Sequence, residues 1–245
     1  MDEIETLKEL IAESDNIVFF GGAGVSTESG IPDFRSEDGI YKAIADFGDR
    51  PERILSYSYF LTRPEDFYKF YKEIIIFQDA KPNPAHLAIG KLEDLGKIRA
   101  VVTQNIDGLH QKGGSKNVLE LHGSVYRNYC MECNASYDLD YILSSDNLPI
   151  CSCGGLIKPD VVLYEEPLDN SIMDKAIKYI SEAELLIVGG TSLVVYPAAG
   201  LVDYFDNKNG KLVLINKSYT PYDNQADLVI NKAIGEVFQE IVKDY

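Results

Sequence analysis

The side chains able to do chemistry in this chain fall into two groups. One is a set of glycine, hydroxyl, amide and carboxylate residues in loops that end apolar runs; the other is four cysteines confined to residues 130–153. The first loop, Gly21-Gly22-Ala23-Gly24-Val25-Ser26-Thr27, follows the apolar run Asn16-Ile17-Val18-Phe19-Phe20. A glycine turn between strand and helix lets backbone amides approach a pyrophosphate, and the helix N-terminus adds partial positive charge. The match to G-x-G-x-x-G is incomplete, because Thr27 stands where the third glycine would be. Nor does an acid end a second strand about 20 residues on, as in an ordinary dehydrogenase. Taken alone, the turn fits a ligand-free strand-to-helix bend equally well. The second loop is Gln104-Asn105-Ile106-Asp107. Asn105 and Asp107, two apart after a strand, can face one side of a pocket or simply form an Asx turn.

Three histidines are present. His86 falls in the first turn of an expected helix and reads as a packed or surface residue. His110 follows Asp107 on an expected helical turn beside the loop. His122 ends the short run Val118-Leu119-Glu120-Leu121. An ordinary imidazole pKa of about 6.5 suits proton transfer at neutral pH, so His122 is the candidate general base.

Cys130-Met131-Glu132-Cys133 and Cys151-Ser152-Cys153 are separated by 17 residues. Zinc ribbons pair two C-x₂-C knuckles at about this distance. Four thiolates can close a tetrahedron around Zn²⁺ with no open position, which makes such a site structural rather than catalytic. The second pair departs from the pattern, with one intervening residue, and Gly154-Gly155 supply the freedom to compensate. A disulfide pair or free thiols rank below zinc. The segment 127–158 reads as polar, turn-rich and too short to build its own core, so metal ligation is expected to supply folding energy.

These groups need elements to hold them. Apolar spacing predicts a helix over residues 3–14, then helices over 64–78, with Thr62 as cap, and over 84–95, ending at Gly96. Strands are expected at 16–20, 98–102, 118–121, 185–188, 211–215 and 227–230. Further helices are expected near 169–181, near 197–206 and from Gly235 onward. The alternation implies an α/β fold, a Rossmann-like parallel sheet with helices on both faces. The Rossmann-like domain is expected to span 1–126 and 159–245, with a helical insertion at about 37–80 and a zinc module at 127–158. In such sheets ligands bind beyond the carboxyl ends of the strands, so the three loops GGAGVS, TQNID and GGTSL should meet in one crevice with His122.

The run from Gly22 to Ser36, GAGVSTESGIPDFRS, resembles the hallmark of the sirtuin family. TQNIDGLH, His122-Gly123, the GGTSL loop before VVYPAAG, and Asn216 closing a later strand are similar in family order, covering residues 16–216. The resemblance implies an NAD-dependent protein-lysine deacetylase or deacylase that consumes NAD as co-substrate. NAD would be held by Gly22, Ala23, Gly24, Thr27, Asp33, Phe34, Arg35, Gln104, Asn105, Ile106, Asp107, His122, Gly190, Thr191, Ser192, Asn216 and Ile234. Phe34 and Arg35 would lie by the nicotinamide ribose and phosphates, where Arg35 supplies fixed positive charge. Asp107 and the Ile106 backbone would hold the nicotinamide carboxamide, and Asn105 would orient a water or the ribose. Cys130, Cys133, Cys151 and Cys153 would hold the zinc. In the family's reaction the acyl oxygen attacks the ribose C1′ as nicotinamide leaves. A ribose hydroxyl, deprotonated by His122, then attacks the imidate carbon, and water completes the reaction, giving lysine and O-acetyl-ADP-ribose.

The acylated lysine is expected in a hydrophobic tunnel, its backbone paired with strand edges. The corresponding segments are residues 159–166 and 194–196. Where many sirtuins read FGE this chain has Tyr164-Glu165-Glu166, which puts a side chain near the expected peptide cleft. An oxidoreductase using the glycine turn, a silent NAD- or peptide-binding module and a protein ADP-ribosyltransferase using the same pocket are the competing readings.

Bulk properties narrow the class further. With 39 acids against 23 bases, the net charge of −16 argues against nucleic acid, whose binding needs cations to neutralise phosphates. No apolar run approaches the ~18 residues of a membrane span. The acidic opening MDEIETLKELIAES lacks the basic start of a signal peptide, so a cytoplasmic location is expected.

Overall fold

A computed structural model describes residues 2–33 and 48–245. In chain order these form α1 (Glu3–Glu13), β1 (Ile17–Gly21), α2 (Pro51–Ile54), α3 (Tyr57–Thr62) and α4 (Pro64–Phe70). They continue with α5 (Pro84–Asp94), β2 (Ile98–Thr103), α6 (Leu109–Lys112), β3 (Val118–Glu120), β4 (Gly123–Cys130) and β5 (Ser136–Tyr137). The remainder is α7 (Leu139–Ser144), β6 (Ile157–Val161), α8 (Asn170–Ser181), β7 (Leu185–Gly189), β8 (Lys211–Ile215), β9 (Leu228–Ile230) and α9 (Ile234–Ile241).

Six strands form one sheet in the order β3-β2-β1-β7-β8-β9, every pair parallel. Side chains alternate across it, as the period of two requires. Ile17 and Phe19 enter one core with Leu7, Ile89 and Phe238, from helices α1, α5 and α9. Val18 and Phe20 enter the other with Ala176 and Ile180 of α8 and Leu201 and Val202. Helices thus cover both faces. All five residues of β1 and of β7 are buried, which is why their sequences show no polar alternation. Strand order reverses between β1 and β7, where Gly21 lies opposite Gly189. A crevice opens at such a switch point.

The second sheet, β5-β4-β6, is antiparallel and carries the cysteines. Its apolar residues share one core with the helices before α5: Ile54, Phe60, Phe67, Tyr68 and Phe70 pack with Val125, Cys130, Ile142, Cys151 and Ile157. The segment expected to lack a core therefore has one, contributed largely by residues 54–75.

Several local expectations change. The glycine turn opens onto two single 3₁₀ turns, Ala23–Val25 and Thr27–Ser29, so no long helix points its dipole at the loop. Thr62 does not cap the helix after it: it ends α3, and Arg63 occupies the cap position before Pro64. That helix then widens into a π-turn over Tyr71–Ile75. The helix near 197–206 is a 3₁₀ helix, Ala198–Tyr204. The polar cysteine region opens inside an eight-residue strand, β4, whose Val125, Asn128 and Cys130 are buried while Tyr126 and Arg127 are not. No described helix is long and apolar enough to cross a membrane.

Candidate functional site

Backbone contact between two loops floors the crevice. The Gly22 amide donates to the Gly189 carbonyl (3.2 Å) and the Gly24 amide to the Gly190 carbonyl (2.7 Å). A Cβ on Gly24 would lie 2.8 Å from the Gly190 Cα, and one on Gly190, whose φ is +61°, would lie 2.3 Å from the Val25 nitrogen. These glycines are therefore needed for the two loops to nest. The Val25 and Ser26 amides are also bonded, to the Gly22 and Ala23 carbonyls (both 3.0 Å). Asn216, at the end of β8, braces the second loop: it accepts from the Thr191 amide (3.0 Å) and donates to the Thr191 carbonyl (2.7 Å).

The loop after β2 joins this floor. The Gln104 amide donates to the Gly21 carbonyl (3.0 Å) and its side chain to the Thr191 hydroxyl (3.1 Å). Asn105, its own amide held by Thr103 Oγ1 (3.0 Å), donates through Nδ2 to Ser26 Oγ (3.1 Å). Ser26 in turn donates to Asp107 Oδ2 (2.6 Å), and Asp107 Oδ1 accepts from the Leu109 amide (2.9 Å). Asn105, Ser26 and Asp107 form one polar chain across two loops, with Asn105 and Ser26 buried and Asp107 partly so. Burial pushes the Asp107 pKa up, against the pull of the Ser26 and Leu109 hydrogen bonds and nearby Lys112.

His122 Nδ1 lies 2.9 Å from the Gln104 carbonyl oxygen. A carbonyl only accepts, so Nδ1 carries the proton and Nε2 keeps its lone pair in the neutral ring. Burial lowers the His122 pKa, outweighing the Gln104 hydrogen bond that raises it. The ring is thus neutral at pH 7, oriented, and basic at Nε2. It is held by the same loop that carries Asn105 and Asp107.

The four cysteine sulfurs all lie within 4.8 Å of one another, and none forms a disulfide. Cys130 and Cys153 sulfurs are 3.5 Å apart, those of Cys133 and Cys151 3.6 Å. A tetrahedron with Zn–S bonds of about 2.3 Å separates its sulfurs by about 3.8 Å, so the donor set fits Zn²⁺ and leaves no position open. The Glu132 and Cys153 amides lie 3.4 and 3.5 Å from the Cys130 and Cys151 sulfurs, and the Tyr137 hydroxyl 3.0 Å from Cys151. The short second knuckle works because Gly154 sits at φ +89° and Gly155 packs where a Cβ would lie 2.7 Å from the Cys130 sulfur.

The structure brings Gly22, Ala23, Gly24, Gln104, Asn105, Asp107, His122, Gly190, Thr191 and Asn216 to one crevice. Thr27 turns its hydroxyl back to the Gly24 carbonyl (3.0 Å). The Ile106 carbonyl accepts from the Val125 amide (3.0 Å). Ile234 is 3% exposed, its side chain in the core against Gly189, so only its backbone is available to a ligand. Phe34 and Arg35 lie outside the described residues. Ser26 is the residue the sequence reading missed: its type, a hydroxyl just past a glycine turn, was the available signal. His86 and His110 are both buried and take no part in the crevice; their rings meet edge-on at 4.8 Å behind it.

The Sir2 family model matches residues 22–197, well over half of the chain. A Clostridium acetobutylicum NAD-dependent protein deacetylase is 61% identical over 244 residues, covering 99% of each chain. Among solved structures, a Sir2 variant with a deacetylated p53 peptide and 3′-O-acetyl-ADP-ribose aligns at TM-score 0.89 and 42% identity, covering 98% of each chain. A Sir2–p53 peptide–NAD+ complex aligns at TM-score 0.88 and 41% identity, covering 100% of this chain and 98% of that one. The likeness thus runs through the sheet, the crevice loops and the cysteine-bearing lobe together, and the chain belongs to the Sir2 family.

Proposed function

We propose that this protein removes acyl groups, acetyl in the first instance, from protein lysines at the expense of NAD, releasing nicotinamide and O-acetyl-ADP-ribose. The observation that carries this reading is the placement of a basic His122 Nε2 on the same loop unit as the Asn105–Ser26–Asp107 chain. The relative from Clostridium acetobutylicum bears the matching name. NAD supplies an electrophilic ribose carbon and the hydroxyl that finally accepts the acyl group.

The chain's own residues divide the remaining work. Gly22, Ala23, Gly24, Thr27, Gly190, Thr191, Ser192, Asn216 and the Ile234 backbone line the dinucleotide's bed, and the family resemblance adds Asp33, Phe34 and Arg35 to the residues that would hold it. Asp107 and the Ile106 amide take the carboxamide, Gln104 braces the floor through Thr191, and Asn105 orients the ribose or a water. His122 Nε2 takes the proton from the ribose hydroxyl, a role worth about 10²–10⁴-fold in rate for a general base. Cys130, Cys133, Cys151 and Cys153 hold a structural zinc. The substrate is a protein or peptide; with a net charge of −16, nucleic acid is not one. Membranes are not partners in this reading, and cysteines that form no disulfide suit the reducing cytoplasm.

The test is to incubate the purified protein with NAD and an acetyl-lysine peptide and to identify products by mass. Equal yields of nicotinamide, free-lysine peptide and O-acetyl-ADP-ribose are expected. NADH absorbance would instead make it an oxidoreductase, and an ADP-ribose adduct on protein without deacetylation a transferase. NAD binding without turnover would make it a silent module. His122→Ala should slow turnover by about a thousandfold with NAD still bound; full turnover would remove the base assignment.

A further inference from the structure

Beyond β6 the chain runs as a strap between the base and the helices before α5. The Val162 amide donates to the His122 carbonyl (3.0 Å), and the Tyr164 amide to the Leu55 carbonyl (3.0 Å). The strap then meets the start of α3. The leading amides of a helix have no partner within it. Here the Tyr57 amide donates to the Tyr164 carbonyl (3.0 Å), the Ser58 amide to the Glu165 carboxylate (2.9 Å) and the Tyr59 amide to the Ser56 hydroxyl (3.2 Å). The Ser58 hydroxyl also donates to Glu165 (2.9 Å). Two of the three amides are thus satisfied by the strap itself.

Glu165 makes these bonds from φ +77°, a left-handed conformation that costs a side-chain-bearing residue energy and that glycine adopts freely. Its side chain, expected near the peptide cleft, is turned onto α3. The other end of the turn is fastened separately. Glu166 lies 2.9 Å from the Lys158 ammonium and accepts from the Leu163 amide (2.9 Å); Lys158 is 3% exposed and also donates to the Val161 carbonyl (3.0 Å). Alongside Glu165 lies a recess of about 740 Å³ lined by Arg50, Arg53, Ser58 and Tyr164. Leu163 is buried in the lobe's core whereas Tyr164 is half exposed, so the outer turn of the strap relies on its hydrogen bonds to α3.

We infer that Glu165 is a positioning residue for the acyl-lysine substrate, tying the peptide-receiving strap to α3 so that its edge stays in fixed register with His122. This rests on the deacylase reading and on residues 159–166 as the segment that receives peptide. Holding a binding edge in its bound geometry lowers the ordering cost of association, so the effect falls on substrate affinity and not on the chemical step.

Three variants test it: Glu165→Gly, which keeps φ accessible but deletes the carboxylate; Glu165→Gln, which retains an acceptor for the Ser58 amide; and Ser58→Ala, which removes the hydroxyl arm alone. Glu165→Gly should raise KM for an acetyl-lysine peptide by about tenfold, with kcat and KM for NAD within about twofold. Glu165→Gln should restore most of the affinity, and Ser58→Ala should fall between. Hydrogen exchange of the Tyr57 and Ser58 amides should quicken in Glu165→Gly whether or not substrate is present. Unchanged peptide KM in Glu165→Gly, unchanged exchange, or a Gln variant as impaired as the Gly variant would overturn the assignment. A wild type that turns over no acyl-peptide would sink the deacylase reading instead, and the exchange measurement tells the two failures apart.

Discussion

The six-stranded sheet and the cysteine-bearing lobe bury their cores by different means. In the sheet, β1, β7 and β8 contribute mostly Ile, Val and Leu to both faces, and each face is closed by its own helices. Every element there has a partner of its own making. The lobe instead joins two stretches far apart in the chain. Phe60, Phe67, Tyr68 and Tyr71 come from residues 57–75, and the strands that receive them from residues 123–161. Its rings pack edge-to-face or stacked, Phe60 on Phe67 at 5.0 Å and Phe67 on Tyr71 at 5.5 Å. The two-residue β5 and the three-stranded sheet are too small to stand alone, and four thiolates converge where a larger core would be. The sheet is therefore expected to stand by itself, whereas the lobe is expected to depend on a metal and on the aromatic residues that residues 57–75 lend it.

Metal withdrawal is the largest test of that difference. Structural zinc sites contribute an apparent ~10–16 kcal/mol of binding free energy, most of which is folding energy. Chelation, or Cys151→Ser, should abolish exchange protection in β4, β5 and β6. Protection in β1, β7 and β8 should persist. Loss of protection throughout would show one cooperative unit and break the comparison; none lost anywhere would show that zinc carries no folding energy.

A core truncation sharpens it. Phe67 is fully buried among the lobe's aromatic rings. Phe67→Ala should cost about 3–5 kcal/mol, as large aromatic deletions do, and should hasten zinc release to a chelator. Phe238→Ala, an equally buried change in the sheet's core, should lower the unfolding midpoint and leave zinc release nearly untouched. Equal release rates in the two variants would mean that the aromatic residues do not support the metal centre.

Legibility followed the same divide. The strands of the large sheet were readable because buried parallel strands are continuous apolar runs, and the crevice loops because each ends such a run. His122 and the four cysteines were readable from position and spacing. Ser26 was only half legible: a hydroxyl just past a glycine turn is a signal, but its partners, Asn105 and Asp107, arrive from about 80 residues away. The lobe's core was hidden for a similar reason. The helical period over 64–78 shows that one face is buried, but it does not say against what. The dipole expected at the glycine turn failed because nested glycines bend the chain too tightly for a regular helix, leaving two 3₁₀ turns.

The large body should also show a pH signature of its own. His86 and His110 lie between α5 and α6, and burial holds the His86 pKa down at about 4 and that of His110 well below its ordinary value. Neither His110 nitrogen has a partner among the described residues. A base with a depressed folded pKa stabilises fully above its unfolded value, about 6.5. That stability is lost as pH falls, because the unfolded chain binds the proton first; each such proton costs up to ~1.4 kcal/mol per pH unit. For His86 the window runs from about 6.5 down to about 4. His86→Gln keeps an acceptor for the Asn83 amide, which His86 Nδ1 now meets at 3.3 Å, and removes the titration. Denaturant midpoints of wild type and variant should converge by about 1–2 kcal/mol between pH 7 and pH 5. A constant difference would show that His86 does not take up a proton on unfolding in this range.

The smallest effect concerns the seam between the bodies. Arg127 on β4 reaches Glu120 on β3 at 2.6 Å and Asp160 on β6 at 2.7 Å, and Gln111 donates to Glu120 at 2.8 Å. Glu120 is only 7% exposed, while the Arg127 side chain is half exposed. Solvent therefore screens much of the attraction, and the pair is worth far less than a buried one. Removing the guanidinium nevertheless leaves a buried carboxylate with one amide partner. Arg127→Ala should cost about 1–2 kcal/mol at low salt, and the deficit should shrink at 1 M salt if charge attraction is its source. Arg127→Lys should recover only part of it, since a single ammonium does not span both carboxylates as the forked guanidinium does. If Arg127→Lys is as stable as the wild type, the seam is held by charge alone. If Arg127→Ala also leaves zinc release and exchange in β3 unchanged, the two bodies meet without this bridge.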